Sequence, residues 1–207
     1  CEVIEDEATI AESSRDWWPL ALHWSLQGRV PQLADLVARP TTTAQVVAVL
    51  RACNIGRVPV TAAGGRSGVC GAAVPLFGGV VLDMTAMTGV VSVDTESGIV
   101  EVLPGTSGPE LEEILNSVHG LSVGHFPQSF DLATVGGWVA SRGAGQFSTR
   151  YGKIEDMVVG LEVVLTDGTV IRTGGAPAAA TGPDLTGLIV GSEGTLGIVT
   201  QIIVRLM

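Results

Sequence analysis

The clearest hydrophobic pattern in this chain of 207 residues begins at Thr41. The hydroxyl groups of residues 41–43 are typical N-terminal caps, and Gly56 is a typical helix stop. Apolar side chains recur at helical spacing between these signals, at Val46, Val47, Leu50 and Ile55. The pattern therefore predicts a helix that begins near Thr41, ends near Gly56 and buries one face.

Two short apolar runs follow this helix, at residues 58–61 and 79–83. Both have the length of buried strands, and a glycine-rich stretch at residues 62–75 separates them. The helix and the strands together predict a parallel unit with one long turn. The residues before Arg39 contain an acidic start and an aromatic segment, which we interpret as a lead-in helix and arm.

Further along the chain, the pattern is typical of antiparallel strands. Residues 90–94 and 99–103 flank a turn, and residues 157–166 and 169–172 flank an Asp-Gly pair. Both patterns predict antiparallel hairpins, and Asp-Gly is the strongest short hairpin signal in the chain.

A helix at residues 109–118 and a last strand at residues 197–206 complete the predicted elements. The helix would place four apolar side chains on one face, at Leu111, Ile114, Leu115 and Val118. We therefore expect an α+β fold with two lobes and a cleft between them. The smaller lobe, residues 39–88, is mostly parallel, and the larger one, residues 89–207, has an antiparallel sheet flanked by helices.

The charge of the chain excludes two classes of partner. The formal net charge is −10, and Lys153 is the one lysine. Nucleic acids and anionic membranes are bound by dense patches of Lys and Arg, so neither is an expected partner. No apolar run approaches the ~18 residues that would span a bilayer. Any phosphate bound by this chain is expected to be held by main-chain donors.

The cysteines and histidines form no metal-binding pattern. No C-x-x-C or H-E-x-x-H motif occurs among Cys1, Cys53, Cys70, His23, His119 and His125. We therefore expect no metal site. The odd number of cysteines, and an acidic N-terminus unlike an export signal, favour a reducing cytoplasm. Because the chain does not begin with Met and its last residues resemble a strand, we expect it to be part of a longer protein.

A glycine-rich loop directly after a predicted strand is the first candidate site. It consists of Ala62, Ala63, Gly64, Gly65, Arg66, Ser67, Gly68 and Val69. Residues without a β-carbon allow successive N–H groups to converge on an anion. The loop lacks the Lys-Ser/Thr of a Walker A motif, the G-x-G-x-x-G of a Rossmann fold and the G-x-S-x-G of a nucleophile elbow. An ordinary surface turn is the alternative.

Two further segments are rich in small residues. In residues 126–144, Gly136 and Gly137 open a predicted helix, so N–H groups and the hydroxyl groups of Ser129 and Thr134 could face a phosphate or a ring edge. The alternative is a helix N-terminus that packs closely on a strand. In residues 191–199, glycines allow close backbone approach, and the Ile198 amide could hydrogen-bond a planar heterocycle such as adenine.

In this order and spacing, the three segments resemble the FAD-binding, PCMH-type domain of the vanillyl-alcohol oxidase family, over residues 39–207. Residues 124–138 and 151–159 look most like alkyldihydroxyacetonephosphate synthase and bacterial FAD-linked oxidases. Glycolate oxidase and D-lactate dehydrogenase flavoproteins share the same frame. The resemblance implies FAD between two lobes, with residues 1–38 as a lead-in segment and the substrate or cap domain absent from this chain.

The resemblance implies three sets of cofactor-binding residues. The first loop, residues 62–69, would hold the pyrophosphate. The pyrophosphate and the flavin side would contact Gln128, Ser129, Phe130, Asp131, Leu132, Ala133, Thr134, Gly136, Gly137, Ser141, Arg142, Gly143 and Ala144. The adenosine end and the flavin would contact Glu193, Gly194, Thr195, Leu196, Gly197, Ile198 and Val199.

Two departures from the family pattern affect this interpretation. Arg66 stands where the family's loop usually carries glycine, and a positive φ there would cost roughly 1 kcal/mol. A guanidinium contact to phosphate could offset that cost, and a side chain directed into solvent is the alternative. The His and Cys that attach flavin covalently in some relatives are missing, so we expect non-covalent FAD.

The expected function is that of an FAD-linked oxidase or dehydrogenase, with a 2-hydroxy acid as a candidate small-molecule substrate. One alternative is a flavin-dependent transferase of ether lipid synthesis, similar to alkyldihydroxyacetonephosphate synthase; another is a fragment that only binds FAD. We assign no catalytic residue. His125 is a candidate base or a structural histidine, and Glu155 and Asp156 are interpreted as surface charges. A homodimer is left open.

Overall fold

Two β-sheets form the framework of this protein in a computed structural model, which describes residues 1–30, 32–175, 180 and 182–207. Eight α-helices of the described residues surround them: α1 (Glu7–Ser13), α2 (Pro19–Leu26), α3 (Thr43–Gly56), α4 (Gly108–Ile114), α5 (Val135–Ser141), α6 (Ser148–Tyr151), α7 (Ile154–Met157) and α8 (Leu185–Ile189).

The first sheet has four strands in the order β1-β2-β4-β3. Their bounds are β1 (Glu2–Ile4), β2 (Leu36–Arg39), β3 (Val60–Ala63) and β4 (Val80–Asp83). The strands β2, β4 and β3 are parallel, and α3 makes the crossover between β2 and β3, as a parallel pair requires. Strand β1 pairs antiparallel with β2, so residues upstream of Arg39 form part of this sheet.

Helix α3 confirms the predicted helix, with Thr42 as the N-cap that accepts from the Gln45 N–H at 3.3 Å. Val46 and Leu50 are buried, but Ile55 is 87% exposed, so its predicted burial was wrong. At 100° per residue, Ile55 lies half a turn away from Val46, and Cys53 continues the buried face instead.

The strand predicted at residues 58–61 begins two residues later, at Val60. The helix end explains the shift. Arg57 adopts a left-handed φ of 53°, and the Val58 N–H donates to the Cys53 carbonyl at 2.8 Å. This six-to-one bond closes a Schellman cap, so Val58 belongs to the end of the helix.

The second sheet has five antiparallel strands in the order β5-β6-β9-β7-β8. Their bounds are β5 (Val90–Asp94), β6 (Ile99–Val102), β7 (Val158–Val164), β8 (Val170–Gly174) and β9 (Ile198–Arg205). Both predicted hairpins and the predicted last strand are confirmed. The two-lobed α+β architecture is confirmed with them.

The helix predicted at residues 109–118 begins as α4 and then widens. Residues Leu115–His119 form a π-helical turn, in which each backbone bond reaches one residue further than in an α-helix. Leu111 and Leu115 are fully buried as predicted, but the wider turn rotates Val118 to 69% exposure. The predicted burial of Val118 was therefore wrong.

The lobes share one hydrophobic layer. Val164 of β7 and Ile198 of β9 are buried in the same cluster as Val46, Leu50 and Leu82 of the first lobe. A larger cluster fills the second lobe between its sheet and the helices α4, α5 and α7.

A polar contact crosses the same boundary between the lobes. Glu162 of β7 accepts hydrogen bonds from the hydroxyl groups of Thr43, at 2.8 Å, and Thr200, at 3.0 Å. Thr43 belongs to the first helix of the small lobe, so this carboxylate connects the two lobes directly.

Candidate functional site

A cavity of about 420 Å³ opens between the carboxyl end of β3, the start of α5 and the loop before β9. All eight predicted residues of the first loop, residues 62–69, lie in its wall. The second segment contributes Ser129, Ala133, Thr134, Gly136, Gly137, Ser141 and Gly143. The third contributes Glu193, Gly194, Gly197, Ile198 and Val199. The size falls within the roughly 300–1,000 Å³ of small-molecule sites.

Eight predicted site residues lie outside the cavity wall: Gln128, Phe130, Asp131, Leu132, Arg142, Ala144, Thr195 and Leu196. Phe130 packs against the rings of Phe126 and Trp138. The Arg142 guanidinium pairs with Glu155 at 3.1 Å instead. The remaining six are exposed at the surface.

Sequence reasoning missed several residues of the wall: Asp16, Cys70, Ala72, Ala73, Met84, Pro104, Pro127, Trp138, Ala140, Ile189 and Ser192. The local sequence could have identified some of these residues. Ala72 and Ala73 continue the glycine-rich stretch, and Trp138 and Ala140 lie in α5 itself. No local pattern marks Asp16 or Pro104, because distant segments bring them to the cavity.

The three segments contact one another closely because glycines stand where they meet. A β-carbon at Gly64 would lie 2.5 Å from the Thr134 hydroxyl oxygen, and one at Gly65 would overlap the Leu132 carbonyl. A β-carbon at Gly194 would lie 3.1 Å from that of Ala62. These glycines therefore permit the close backbone approach that builds the cavity.

The first loop presents unused main-chain donors. Within the described ranges, no group accepts a hydrogen bond from the amides of residues 65–69. Arg66 has a left-handed φ of 51°. This is the strained conformation considered for Arg66 because the family usually has glycine at this position. Consecutive free N–H groups around such a residue form a concavity suited to an anion.

The start of α5 differs from expectation. The amides of Val135 and Gly136 donate to the carbonyls of Thr106, at 2.9 Å, and Pro104, at 2.8 Å. The Gly137 amide donates to the Thr134 hydroxyl at 3.2 Å. These N–H groups therefore have acceptors within the protein, which favours the alternative of a closely packed helix N-terminus over amides free to face a phosphate. At this helix the glycines serve close packing.

The Arg66 side chain points along the wall toward the end of β4. Its Nη1 lies 4.0 Å from the Asp83 carboxylate, which also pairs with Arg39 at 3.2 Å. The side chain is only 22% exposed, so the alternative of a guanidinium directed into solvent was wrong. A planar group of fixed charge is thereby held beside the free amides of the loop.

Three buried polar atoms of the wall lack a hydrogen-bond partner among the described residues: Asp16 Oδ2, Arg66 Nη1 and Trp138 Nε1. A buried polar atom without a partner costs about 1–3 kcal/mol. One acceptor, two donors and a run of free amides suit a ligand that is both anionic and rich in hydroxyl groups. A nucleotide diphosphate has this chemistry.

His125 lies behind the cavity wall and is fully buried. Its ring meets Trp138 edge to face, with 4.9 Å between the centroids. Burial lowers the pKa of His125 to about 4, so the ring is neutral near pH 7. A β-carbon at Gly143, which does line the cavity, would lie 3.5 Å from its Nε2. This position favours a structural histidine over a base that meets substrate.

Comparison with known proteins points to flavin-binding chains. Residues 34–174 match the model of the family described as FAD binding domain. An uncharacterised FAD-linked oxidoreductase of Escherichia coli is 37% identical over 206 residues, which cover 99% of this chain and 42% of that protein. The glycolate oxidase subunit GlcD of Bacillus subtilis is 39% identical over 84% of this chain and 37% of its own length.

The fold has solved counterparts as well. A structure of alkyldihydroxyacetonephosphate synthase superposes with a TM-score of 0.91 at 30% identity, over 99% of this chain and 37% of the synthase. The chain thus spans about two fifths of the length of the curated and solved relatives it resembles.

Proposed function

Because the chain belongs to the FAD binding domain family, we propose that it is the flavin-binding part of an FAD-linked oxidoreductase and that its cavity holds FAD without a covalent bond. The free amides of residues 65–69 carry this proposal. In a chain with a net charge of −10 and one lysine, main-chain donors and Arg66 are the groups that can neutralise a diphosphate.

Each part of the wall has a proposed role. Residues 62–69 bind the pyrophosphate. The small residues of α5 and its flanks, from Ser129 to Gly143, allow the planar ring system to approach the backbone closely. Residues 193–199 contact the adenosine end and the flavin. The eight predicted residues outside the wall would form the rim of the proposed site: Gln128, Phe130, Asp131, Leu132, Arg142, Ala144, Thr195 and Leu196.

Bound FAD would supply the electron acceptor, and the residues of this chain bind and orient it. No side chain of the wall is assigned as a catalytic acid or base. A 2-hydroxy acid is the proposed substrate class, because the relatives include a glycolate oxidase subunit and a D-lactate dehydrogenase. The similarity to alkyldihydroxyacetonephosphate synthase supports a flavin-dependent transferase as the second candidate.

Titration of FAD into the purified chain tests the proposal. We expect saturable, equimolar binding, followed by flavin fluorescence. Gly65→Leu provides a blocked site, because a side chain there would overlap the Leu132 carbonyl. Ala52→Leu is the control, because it adds the same side chain at an exposed position of α3 outside the cavity. No change in flavin signal with the parent chain, at concentrations where it is folded, would contradict the proposal.

Acid precipitation tests the mode of attachment. We expect a colourless pellet and flavin in the supernatant. A yellow pellet would instead indicate covalently attached flavin. Cys70 is the one cysteine among the described residues of the wall, so a colourless pellet from Cys70→Ser would then identify it as the point of attachment. For the substrate class, loss of flavin absorbance at 450 nm on adding 2-hydroxy acids to the whole protein separates the oxidoreductase from the transferase.

We also propose a cytoplasmic location, supported by three cysteines without disulfides among the described residues. No described helix combines the length and the apolar character needed to cross a membrane. Cell fractionation tests the location. A homodimer stays a prediction, which light scattering of the purified chain tests.

A further inference from the structure

The segment before the first loop is attached to it directly. The Trp17 N–H donates to the Gly68 carbonyl at 3.0 Å, and the Trp18 N–H donates to Asp16 Oδ1 at 2.9 Å. A β-carbon at Gly71 would lie 3.2 Å from the Trp18 ring. This segment lies upstream of residues 34–174, the part that matches the family, and yet it helps to shape the cavity.

Asp16 is the polar residue that this segment adds to the wall. It is 2% exposed, and its Oδ2 has no hydrogen-bond partner among residues that the structure describes. On the side of the loop, a β-carbon at Gly68 would lie 3.9 Å from Oδ2. The neighbouring Arg15 does not supply the missing donor, because it pairs with Glu12 at 3.0 Å.

A carboxylate in this place is unsuited to a phosphate. Two anions at short range repel each other, and burial strengthens that repulsion. A hydroxyl group can donate to the carboxylate, and acidic residues accept from ribose hydroxyls in other dinucleotide sites. In FAD, sugar hydroxyls flank the diphosphate on both sides, from the ribose and from the ribityl chain.

We propose that Asp16 is a cofactor-binding residue whose Oδ2 accepts a hydrogen bond from a sugar hydroxyl beside the diphosphate. The inference rests on the proposed FAD site. The free amides of the loop would hold the phosphates, and Asp16, fixed to the same loop by Trp17 and Trp18, would set where the adjoining sugar lies.

Fluorescence titration of FAD into Asp16→Ala and Asp16→Asn tests the inference. We expect Asp16→Ala to raise the Kd about tenfold to a hundredfold, since a hydrogen bond to a charged acceptor is lost. Asp16→Asn keeps a neutral acceptor and should lie between Asp16→Ala and the parent. Asp35→Asn is the matched control. Asp35 is exposed, lies in the same lobe outside the cavity, and its carboxylate accepts a hydrogen bond from the Gly79 N–H.

Thermal unfolding separates binding from a merely structural role. Without FAD, Asp16→Asn should unfold at the parent's temperature or above it, because its unpaired charge is gone. With FAD, its rise in Tm should be smaller than the parent's. An equal loss of Tm with and without FAD would overturn the inference, as would a Kd within twofold of the parent for Asp16→Ala.

Competition with ADP and titration with FMN show which sugar hydroxyl donates to Asp16, that of the ribose or that of the ribityl chain. Weaker ADP binding by Asp16→Ala assigns the ribose, and weaker FMN binding assigns the ribityl chain. If neither changes while FAD binding weakens, the hydroxyl assignment is wrong. If the parent chain itself binds no FAD, the proposed function fails, whereas FAD binding that is unaffected by Asp16 removes this inference alone.

Discussion

The contact between Gly64 and Thr134 offers a quantitative test of how the cavity is built. A β-carbon at Gly64 would lie 2.5 Å from the Thr134 hydroxyl oxygen, about 0.9 Å short of an ordinary contact of 3.4 Å. That oxygen caps α5 through the Gly137 amide, so Gly64→Ala would both crowd the site and disturb the cap. Neither effect involves backbone strain, because the φ of Gly64 is not positive.

The expected costs follow from these contacts. Crowding costs about 1–3 kcal/mol and loss of an N-cap about 1 kcal/mol, so we expect Gly64→Ala to lower the free energy of unfolding by about 2–3 kcal/mol. Thr134→Ala alone should cost about 1–2 kcal/mol. In the double variant, the Thr134 atom that remains nearest to the β-carbon added at position 64 is its own β-carbon, at 3.7 Å. The double variant should therefore cost at least about 1 kcal/mol less than the sum of the two.

Urea unfolding followed by tryptophan fluorescence measures all four proteins of this cycle. A loss of about 2 kcal/mol corresponds to a fall of roughly 4–8 °C in Tm for a chain of this size. Gly68→Ala is the matched control, since its β-carbon would meet only Asp16 Oδ2, at 3.9 Å. Additive costs, or an equal loss in Gly68→Ala, would refute the reasoning.

Three further perturbations have defined outcomes. Arg66→Gly should change the free energy of unfolding by less than about 1 kcal/mol, because relief of the left-handed φ offsets the greater freedom of the unfolded chain, and should weaken FAD binding about tenfold. The folded pKa of His125, about 4, lies below the unfolded value, so its neutral form is favoured in the fold. Falling pH should therefore remove up to about 3 kcal/mol of stability between pH 6.5 and 4, and His125→Gln should lack this loss in urea unfolding. Glu162→Gln should lower the unfolding free energy by roughly 1–3 kcal/mol, because the hydroxyl donors of both lobes lose a charged acceptor.

Matched variants sharpen these tests. Arg57→Gly makes the same substitution at another left-handed position, outside the cavity, and should leave the Kd for FAD unchanged. His119→Gln, at an exposed histidine, should keep the parent's pH dependence, and Glu96→Gln, at an exposed turn, should keep its stability. Equal FAD binding by Arg66→Gly and the parent, an unaltered pH profile in His125→Gln, or a parent-like stability of Glu162→Gln would each contradict the corresponding argument.

Local signals predicted most of the fold. The Thr42 cap, the Asp167-Gly168 turn and the apolar runs each act within a few residues, so the sequence shows them directly. The resemblance to the FAD-binding family, inferred from three glycine-rich segments, is confirmed by the match over residues 34–174 and by the solved synthase structure.

Long-range contacts explain what the sequence did not reveal. The amides at the start of α5 are occupied by carbonyls of Pro104 and Thr106, some thirty residues upstream, and no local pattern announces that pairing. Asp16 reaches the cavity because its segment binds a loop about fifty residues downstream. The π-helical turn at Leu115–His119, in which each hydrogen bond spans one residue more than in an α-helix, likewise depends on tertiary packing.

The hydrophobic layer that joins the lobes has a consequence for ligand entry. Opening the lobes like a hinge would expose Val164 and Ile198 to water, at a cost of about 1.5–3 kcal/mol for each side chain. The dinucleotide would therefore enter a preformed slot from its open side, and little of its interaction energy would be spent on closing one lobe over the other. Because the two lobes share this layer, we expect heat to unfold both in a single transition, in which case a ligand bound at one loop would stabilise the entire chain.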